Sequence, residues 1–421
     1  MEEPISQEQP ISTEGLAGNR GNPFASFRHR NFQLYFGGQL ISNAGTWMQI
    51  IAQGWVVYQI SHSDLTLGFV GFAAAIPTLI ITPWGGVVVD RVPKRTLLIL
   101  TQSGAMLLAF ILAALAFANA VQVWHIILLA AGLGVVNSFD GPARQAFVVD
   151  MVGREDLPNA IALNSLMFNS ARIIGPAMGG LLLAIIGPAW CFTINGISFF
   201  AVILGLSAMQ MTSIEMKRHK DSPWKQLTSG LRYVASQPEI SGLLLLSLIF
   251  SVFGISYSTI LPAFVEQILK QNAAGYGWIN AVTGIGAVSG ALLIANQHGP
   301  RWRGTWLLAA SLGFPFVLTL FSFTSSFPLS LTLAIGLGVG FMVEFTMINT
   351  LLQTRVDDQL RGRVMGLYTL TFFGFAPFGN LAVGALSQRI GLSYAMTLFA
   401  VMSLLLAVIV IRKIPQIRNL A

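Results

Sequence analysis

Three ionisable side chains stand inside runs of apolar residues: Asp140, Arg172 and Glu344. In hydrocarbon each is costly unless it is paired or faces water. Proton coupling requires a protonatable acid in an aqueous cavity, and Asp140 and Glu344 are the two candidates. Asp140 lies one helical turn from Arg144, so an i, i+4 pair is geometrically easy. Glu344 has no cation within a turn, which favours it as the coupling acid. Arg172 falls ~20 Å into its run at 1.5 Å per residue. It can pair with Glu344 or meet an anionic substrate. A static structural pair is the plainer alternative for all three.

A second cluster lies in the loop GGVVVDRVPKR, 85–95, where Gly86 precedes Asp90, Arg91, Lys94 and Arg95. A carboxylate at the end of a helix can rest against the N-terminus of another, where partial positive charge gathers. Such a contact would gate one half of the chain against the other, with Arg144 close by. The alternative is a solvated acid among topology-setting cations. Gly175, Pro176, Gly179 and Gly180 strip bulk from one stretch and let helices approach closely. That serves a leak-tight seal or ordinary packing.

A polar stripe follows. Gln39, Ser42, Asn43, Thr46, Gln49 and Gln53 fall within an arc of about 120° at 100° per residue. Ser247, Ser251, Gly254 and Ser258 repeat it more weakly. Both stripes fit the wall of a substrate cavity, or hydrogen bonding between helices. Trp47, Tyr257, Tyr368 and Phe372 could add aromatic surface for a ring-bearing substrate. His125 reads as an interfacial residue. Motifs for metal hydrolysis, serine nucleophiles and phosphate loops are missing. No enzyme, metal site or cofactor is expected, and a proton gradient replaces ATP as the energy source.

The elements that must hold these residues are membrane helices. Of 421 residues 54% are hydrophobic and 10% charged, against about 25% charged in a soluble domain. Runs long enough to cross the bilayer cover 33–60, 66–88, 96–118, 122–147, 159–185, 188–211, 239–264, 276–296, 305–323, 329–352, 363–386 and 393–411. Of the 24 Lys and Arg, all but Arg172, Lys270 and Arg389 fall in loops on one side. That bias predicts cytoplasmic termini. The +7 balance is no nucleic-acid signal, because the cations sit between apolar spans. The single Cys191 allows no internal disulfide.

Residues 1–30 read as a cytoplasmic, disordered tail without a cleaved signal. A first six-helix bundle then covers 31–211 and a second 239–411, joined by a cytoplasmic linker, 212–238, and followed by a tail, 412–421. Residues 224–235 of the linker read as an amphipathic basic helix on the inner leaflet, or as solvated linker. The halves are weakly alike: Gly86 matches Gly290, Asp140 matches Glu344 and Gln145 matches Asn349 at one offset. VGREDLPNA from Val152 lies over VDDQLRGRV from Val356. This is the pattern of a transporter with its site between two halves.

These residues resemble the major facilitator superfamily. Gly86, Asp90, Arg91, Lys94 and Arg95 match its signature between spans two and three. Pro93 departs from the usual Gly. The second-half copy keeps Gly290, Arg301 and Arg303 but has no acid, so only the first is expected to act. The resemblance places Asp90 against span eleven, near Arg363. GPAMGG, 175–180, is similar to the superfamily's antiporter signature, with an echo at Pro377 and Gly379. FRHRNFQLYFGGQLISNAGTW from Phe27, VVYQISHS from Val56 and PARQAFV from Pro142 resemble the branch of enterobactin exporters and macrolide efflux pumps. The resemblance implies an all-α integral membrane protein of twelve helices in two pseudo-symmetric bundles, with spans one, four, seven and ten around the cavity. It implies a monomer in the bacterial inner membrane, among lipids, exporting a small amphipathic molecule (siderophore, drug or antibiotic-like) by proton antiport. A lipid or lysolipid flippase and a non-transporting receptor or scaffold are the competing readings.

Overall fold

The computed structural model describes residues 24–89, 91–153, 155–210, 223–295 and 302–419. Among them the chain is helical throughout, with no strand. Six long helices come first: α1 Arg30–Ser61, α2 Asp64–Val89, α3 Lys94–Phe117, α4 Val123–Val152, α5 Leu157–Ile186 and α6 Pro188–Ala208. A short helix, α7 Pro223–Ser236, leads into α8 Pro238–Ile249, α9 Tyr257–Gln267, α10 Ala273–Ala295, α11 Arg303–Phe323 and α12 Phe327–Arg355. The chain ends with α13 Asp358–Thr369, α14 Ala376–Ile390 and α15 Leu392–Lys413.

Among the described residues eleven stretches are long and apolar enough to cross a membrane. The difference from the expected twelve is α1. It has 32 residues, but the polar stripe that marks it for function lowers its apolarity. Two of the eleven stretches, Pro238–Gln267 and Leu360–Ile390, each contain a π-helical turn, at Phe250–Gly254 and Leu370–Gly374. The apolar runs gave no sign of either turn. The two turns touch, and Ser251 Oγ donates to the carbonyl of Phe372 across them. Single π turns in helices widen the backbone locally and are frequent at functional sites.

The early helices pack largely on one another, α1 on α5 and α6, α2 on α4, and α3 on α4 and α6. Among the later ones α10 and α11 pack on α12, and α11 on α15. The two sets meet where α5 packs on α10 and α2 on α14. One turn recurs in both sets. Gly187, with φ +80°, closes α5 and caps α6, and Gly391, with φ +91°, does the same between α14 and α15. A single residue joining two helices in that way needs the left-handed region that glycine enters freely. The two glycines stand 204 residues apart (391 − 187), the spacing that also relates Asp140 to Glu344.

At the N-terminal end one expectation changes. Ala25–Arg28 forms a 3-10 turn instead of disordered tail. The backbone N–H of Ser26 donates to Asn159 Oδ1 (2.9 Å), and its hydroxyl donates to the carbonyl of Asp156. The linker segment 224–235 lies within α7, which packs on α13 with Gly230 beside Arg363 and Leu367.

Candidate functional site

Between the two sets of helices lies a cavity of about 510 Å³. Trp47 and Gln53 come to it from α1, Arg172 and Pro176 from α5, Tyr257 from α9, Asn280 from α10 and Phe341 from α12. The volume falls in the range that holds a drug-sized molecule, and apolar walls with a few polar groups are typical of such sites.

The far end of the cavity, away from the loop at 91–95, is bridged between the two sets. Gln59 donates to Glu266, and Gln267 donates to the hydroxyl of Tyr58. Trp55 stacks on Tyr276 with ring centroids 5.7 Å apart. Gly180 of α5 lies directly against Gly277 of α10, so closely that a Cβ on either would collide with the other's backbone. Pairs of small residues allow such an approach between membrane helices. Gly175 and Gly179, by contrast, face α1, at Ala44, Trp47 and Met48. The GPAMGG run therefore touches both its own set and the opposite one. The bridging residues 55, 58, 59, 266, 267 and 276 were not foreseen. Their one signal is position, as polar or amphipathic side chains at the helix ends on the side poor in cations.

The polar stripe of α1 divides. Gln53 and Trp47 line the cavity, whereas Gln39, Asn43, Thr46 and Gln49 are not among its lining residues. Gln39 is buried. Gln49 Oε1 accepts from Asn195 Nδ2 of α6 at 2.7 Å. Thr46 Oγ1 donates back to the carbonyl of Ser42. The physical reason is width. An arc of about 120° on a helix spans two neighbours, and here one is α6 and the other is the cavity. Ser251 and Tyr368 are likewise not among its lining residues. Ser251 bonds the other π turn, and the Tyr368 hydroxyl lies 3.5 Å from the carbonyl of Phe345. Tyr257 and Phe372 do line it.

The charged residues part company too. Asp140 of α4 is fully engaged: Arg144 pairs with Oδ2, while Thr101 Oγ1 (2.7 Å) and Gln102 Nε2 (2.8 Å) donate to Oδ1. The anticipated Arg172–Glu344 pair is absent among the described residues. Arg172 instead places its guanidinium carbon 4.1 Å from the ring centroid of Phe341, 5.4 Å from Phe345 and 5.5 Å from Trp47. Glu344 turns to α11, where Ser311 Oγ donates to Oε1 at 3.0 Å and Oε2 has no partner among the described residues. Helix geometry explains the split. At 100° per residue Phe341 and Phe345 share a face, and Glu344 points 60° to 100° away from it. An aromatic pair at i, i+4 beside a buried acid was the available sequence signal for the ring cage.

At the basic end, Lys94 Nζ donates to Asp150 Oδ2 (2.7 Å) and to the carbonyl of Ala146 (3.2 Å), tying α3 to α4. Arg95 donates to the carbonyl of Ser207 at the end of α6. Arg91 is exposed, Gly86 lies within α2, and Asp90, the expected gating acid, lies outside the described residues. Next to them the N-terminal turn is latched to the loop before α5. Asp156 Oδ2 lies 2.7 Å from both His29 Nε2 and Arg28 Nε. The His29 hydrogen bond, with Arg28 behind it, holds the Asp156 carboxyl below the usual carboxylate range. No group of three or more metal-ligating side chains occurs among the described residues.

A family model described as transmembrane secretion effector matches residues 21–420. The staphyloferrin A transporter of Staphylococcus aureus is 27% identical over 62% of this chain and 66% of its own length. The multidrug efflux pump Tap of Mycolicibacterium fortuitum is 25% identical over 90% of this chain and 95% of its own. The enterobactin exporter EntS of Shigella boydii is 25% identical over 81% of each. A solved bacterial homolog of the human lysosomal transporter Spinster, inward-facing and unoccupied, has the same fold. Its TM-score is 0.70 at 14% identity, covering 95% of this chain and 99% of that one.

Proposed function

The chain belongs to the transmembrane secretion effector family of major facilitator transporters, not to the enzymes, and on that premise we propose that it exports a small amphipathic molecule by proton antiport. In this reading α1 is the twelfth span, two six-helix bundles rock about the central cavity, and both termini face the cytoplasm of a bacterial inner membrane. Alternating access of this kind moves two halves around a site fixed between them. The observation that carries the reading is the cavity itself. It lies between the two sets of helices, with the named bridges between them gathered at the end opposite the basic loops. An inward-facing carrier requires that arrangement. The substrate pool is that of the relatives, siderophores and drugs, with protons as the counter-ion.

Glu344 is the coupling acid in this reading. Burying a carboxylate without a cation is costly, and binding a proton removes the charge, so its protonation is free to bias the fold. Asp140 already has its cation in Arg144. The test is proton movement in proteoliposomes on addition of a catecholate siderophore. Wild type and Asp140→Asn are expected to exchange protons for ligand, and Glu344→Gln to bind ligand without proton movement. Ligand flux in wild type with no proton movement would overturn antiport. Coupling lost in Asp140→Asn and kept in Glu344→Gln would overturn the choice of acid.

A further inference from the structure

We propose that the cavity selects amphipathic organic anions, and that Arg172 is the group that reads the acid. The inference rests on the transport reading and names its substrate class. Among the described residues that line the cavity Arg172 is the one with a charge, and they include no Asp, Glu, Lys or His. A cation at that depth is expensive unless something balances it. The rings of Phe341, Phe345 and Trp47 do so through their faces.

A ring face compensates charge but leaves the hydrogen-bonding plane of the guanidinium unused. That plane carries five N–H donors in a fork matched to two oxygens. Nη1 is buried and has no acceptor among the described residues. Glu344, which could have served, is turned to Ser311. The site therefore holds a positive charge with an unmatched Nη1 donor beside an aromatic, apolar space. A carboxylate entering it gains charge-assisted hydrogen bonds. An ammonium of the same shape meets a like charge with no acid to offset it. The aromatic wall, with Trp47, Tyr257 and Phe372 among its members, takes the apolar body of the ligand.

The test uses one probe scaffold with three head groups. Naphthyl-butyric acid, its methyl ester and the amine of equal length are titrated into the purified full-length protein, followed by ligand fluorescence. The acid is expected to bind roughly ten-fold or more tightly than the ester, and the amine more weakly than the ester. Arg172→Gln is expected to lower affinity for the acid to that of the ester and to leave the ester unchanged. Arg172→Lys keeps charge without the fork and should retain part of the preference. Equal binding of acid and ester to wild type, or tighter binding of the amine, overturns the proposal. So does an Arg172→Gln variant that keeps the preference. If Arg172→Gln does not fold, the wild-type ratio and the Arg172→Lys ratio decide.

The same three probes loaded into proteoliposomes separate this inference from the one beneath it. Transport of none of them, with acid-selective binding intact, strikes at the transport reading alone. Transport of all three at equal rates upholds transport and overturns anion selection.

Discussion

Asp140 and Glu344 occupy matching places in the two halves of the chain, and their surroundings differ. Both are buried acids in long helices. Asp140 has a cation on one oxygen and two neutral donors on the other. Glu344 has one serine hydroxyl and nothing else among the described residues. The first is a finished structural element, and the second has its balance left open. A repeat can thus carry the same chemical group in both copies and fix its role through neighbours supplied by other helices.

The largest effect that would test this contrast comes from taking away the cation. Arg144→Met leaves Asp140 buried and unpaired, which is expected to cost about 3 to 5 kcal/mol of stability. Asp140→Asn combined with Arg144→Gln removes both charges and is expected to restore most of it. Thermal unfolding in detergent measures both. If Arg144→Met unfolds at the wild-type temperature, the pair carries little and the two acids are more alike than their partners indicate.

How far the sequence alone reached can be judged on the same residues. The i, i+4 relation of Asp140 to Arg144 is local, so spacing was sufficient to expect it. Glu344 gave a correct negative, the lack of a cation nearby in the chain, but its serine comes from α11, 33 residues away. Arg172 was recognised as a charge in need of a partner. That the partner would be two rings of α12 and one of α1 depends on how α5 lies between them. The stripe on α1 shows the same limit. Periodicity finds a polar face, but the division between α6 and cavity is set by the neighbours. The membrane runs were legible because length and apolarity are properties of the chain itself. The π turns at Phe250–Gly254 and Leu370–Gly374 were not. They depend on a match between two helices distant in sequence.

A smaller effect sharpens the difference between the two acids. Ser311→Ala removes the one hydrogen bond to Glu344 found among the described residues, and Thr101→Val removes one of several to Asp140. Each is expected to cost about 1 kcal/mol, the usual net worth of such a bond. Their consequences for transport should diverge. Ser311→Ala is expected to move the pH profile of efflux, because it alters what the coupling carboxyl feels. Thr101→Val should leave the profile in place. Efflux rates in proteoliposomes across a pH series provide the comparison. A profile shifted by Thr101→Val and untouched by Ser311→Ala would reverse the assignment.

The smallest expected effect concerns a third acid, Asp156, which resembles Asp140 in its partners but lies outside the membrane. Its carboxyl does not cap α5, although it stands at that helix's N-cap position. It is taken up by His29 and Arg28, and Glu155 lies 3.7 Å from the same arginine. A carboxyl held below its ordinary range contributes stability that is present above the unfolded value, about 4 for Asp. That contribution is lost as pH falls through the lower folded value. The latch on the N-terminal turn should therefore hold at neutral pH and open only in acid below that ordinary range. A spin label on Phe24→Cys reports it: immobile through neutral and mildly acidic conditions, mobile at lower pH. In Asp156→Asn the label should be mobile at every pH, with transport little changed. A label that stays immobile in Asp156→Asn would mean that the two Ser26 bonds, to Asn159 and to the backbone carbonyl of residue 156, hold the turn. The charged cluster would then be ornament to those hydrogen bonds, unlike the one around Asp140.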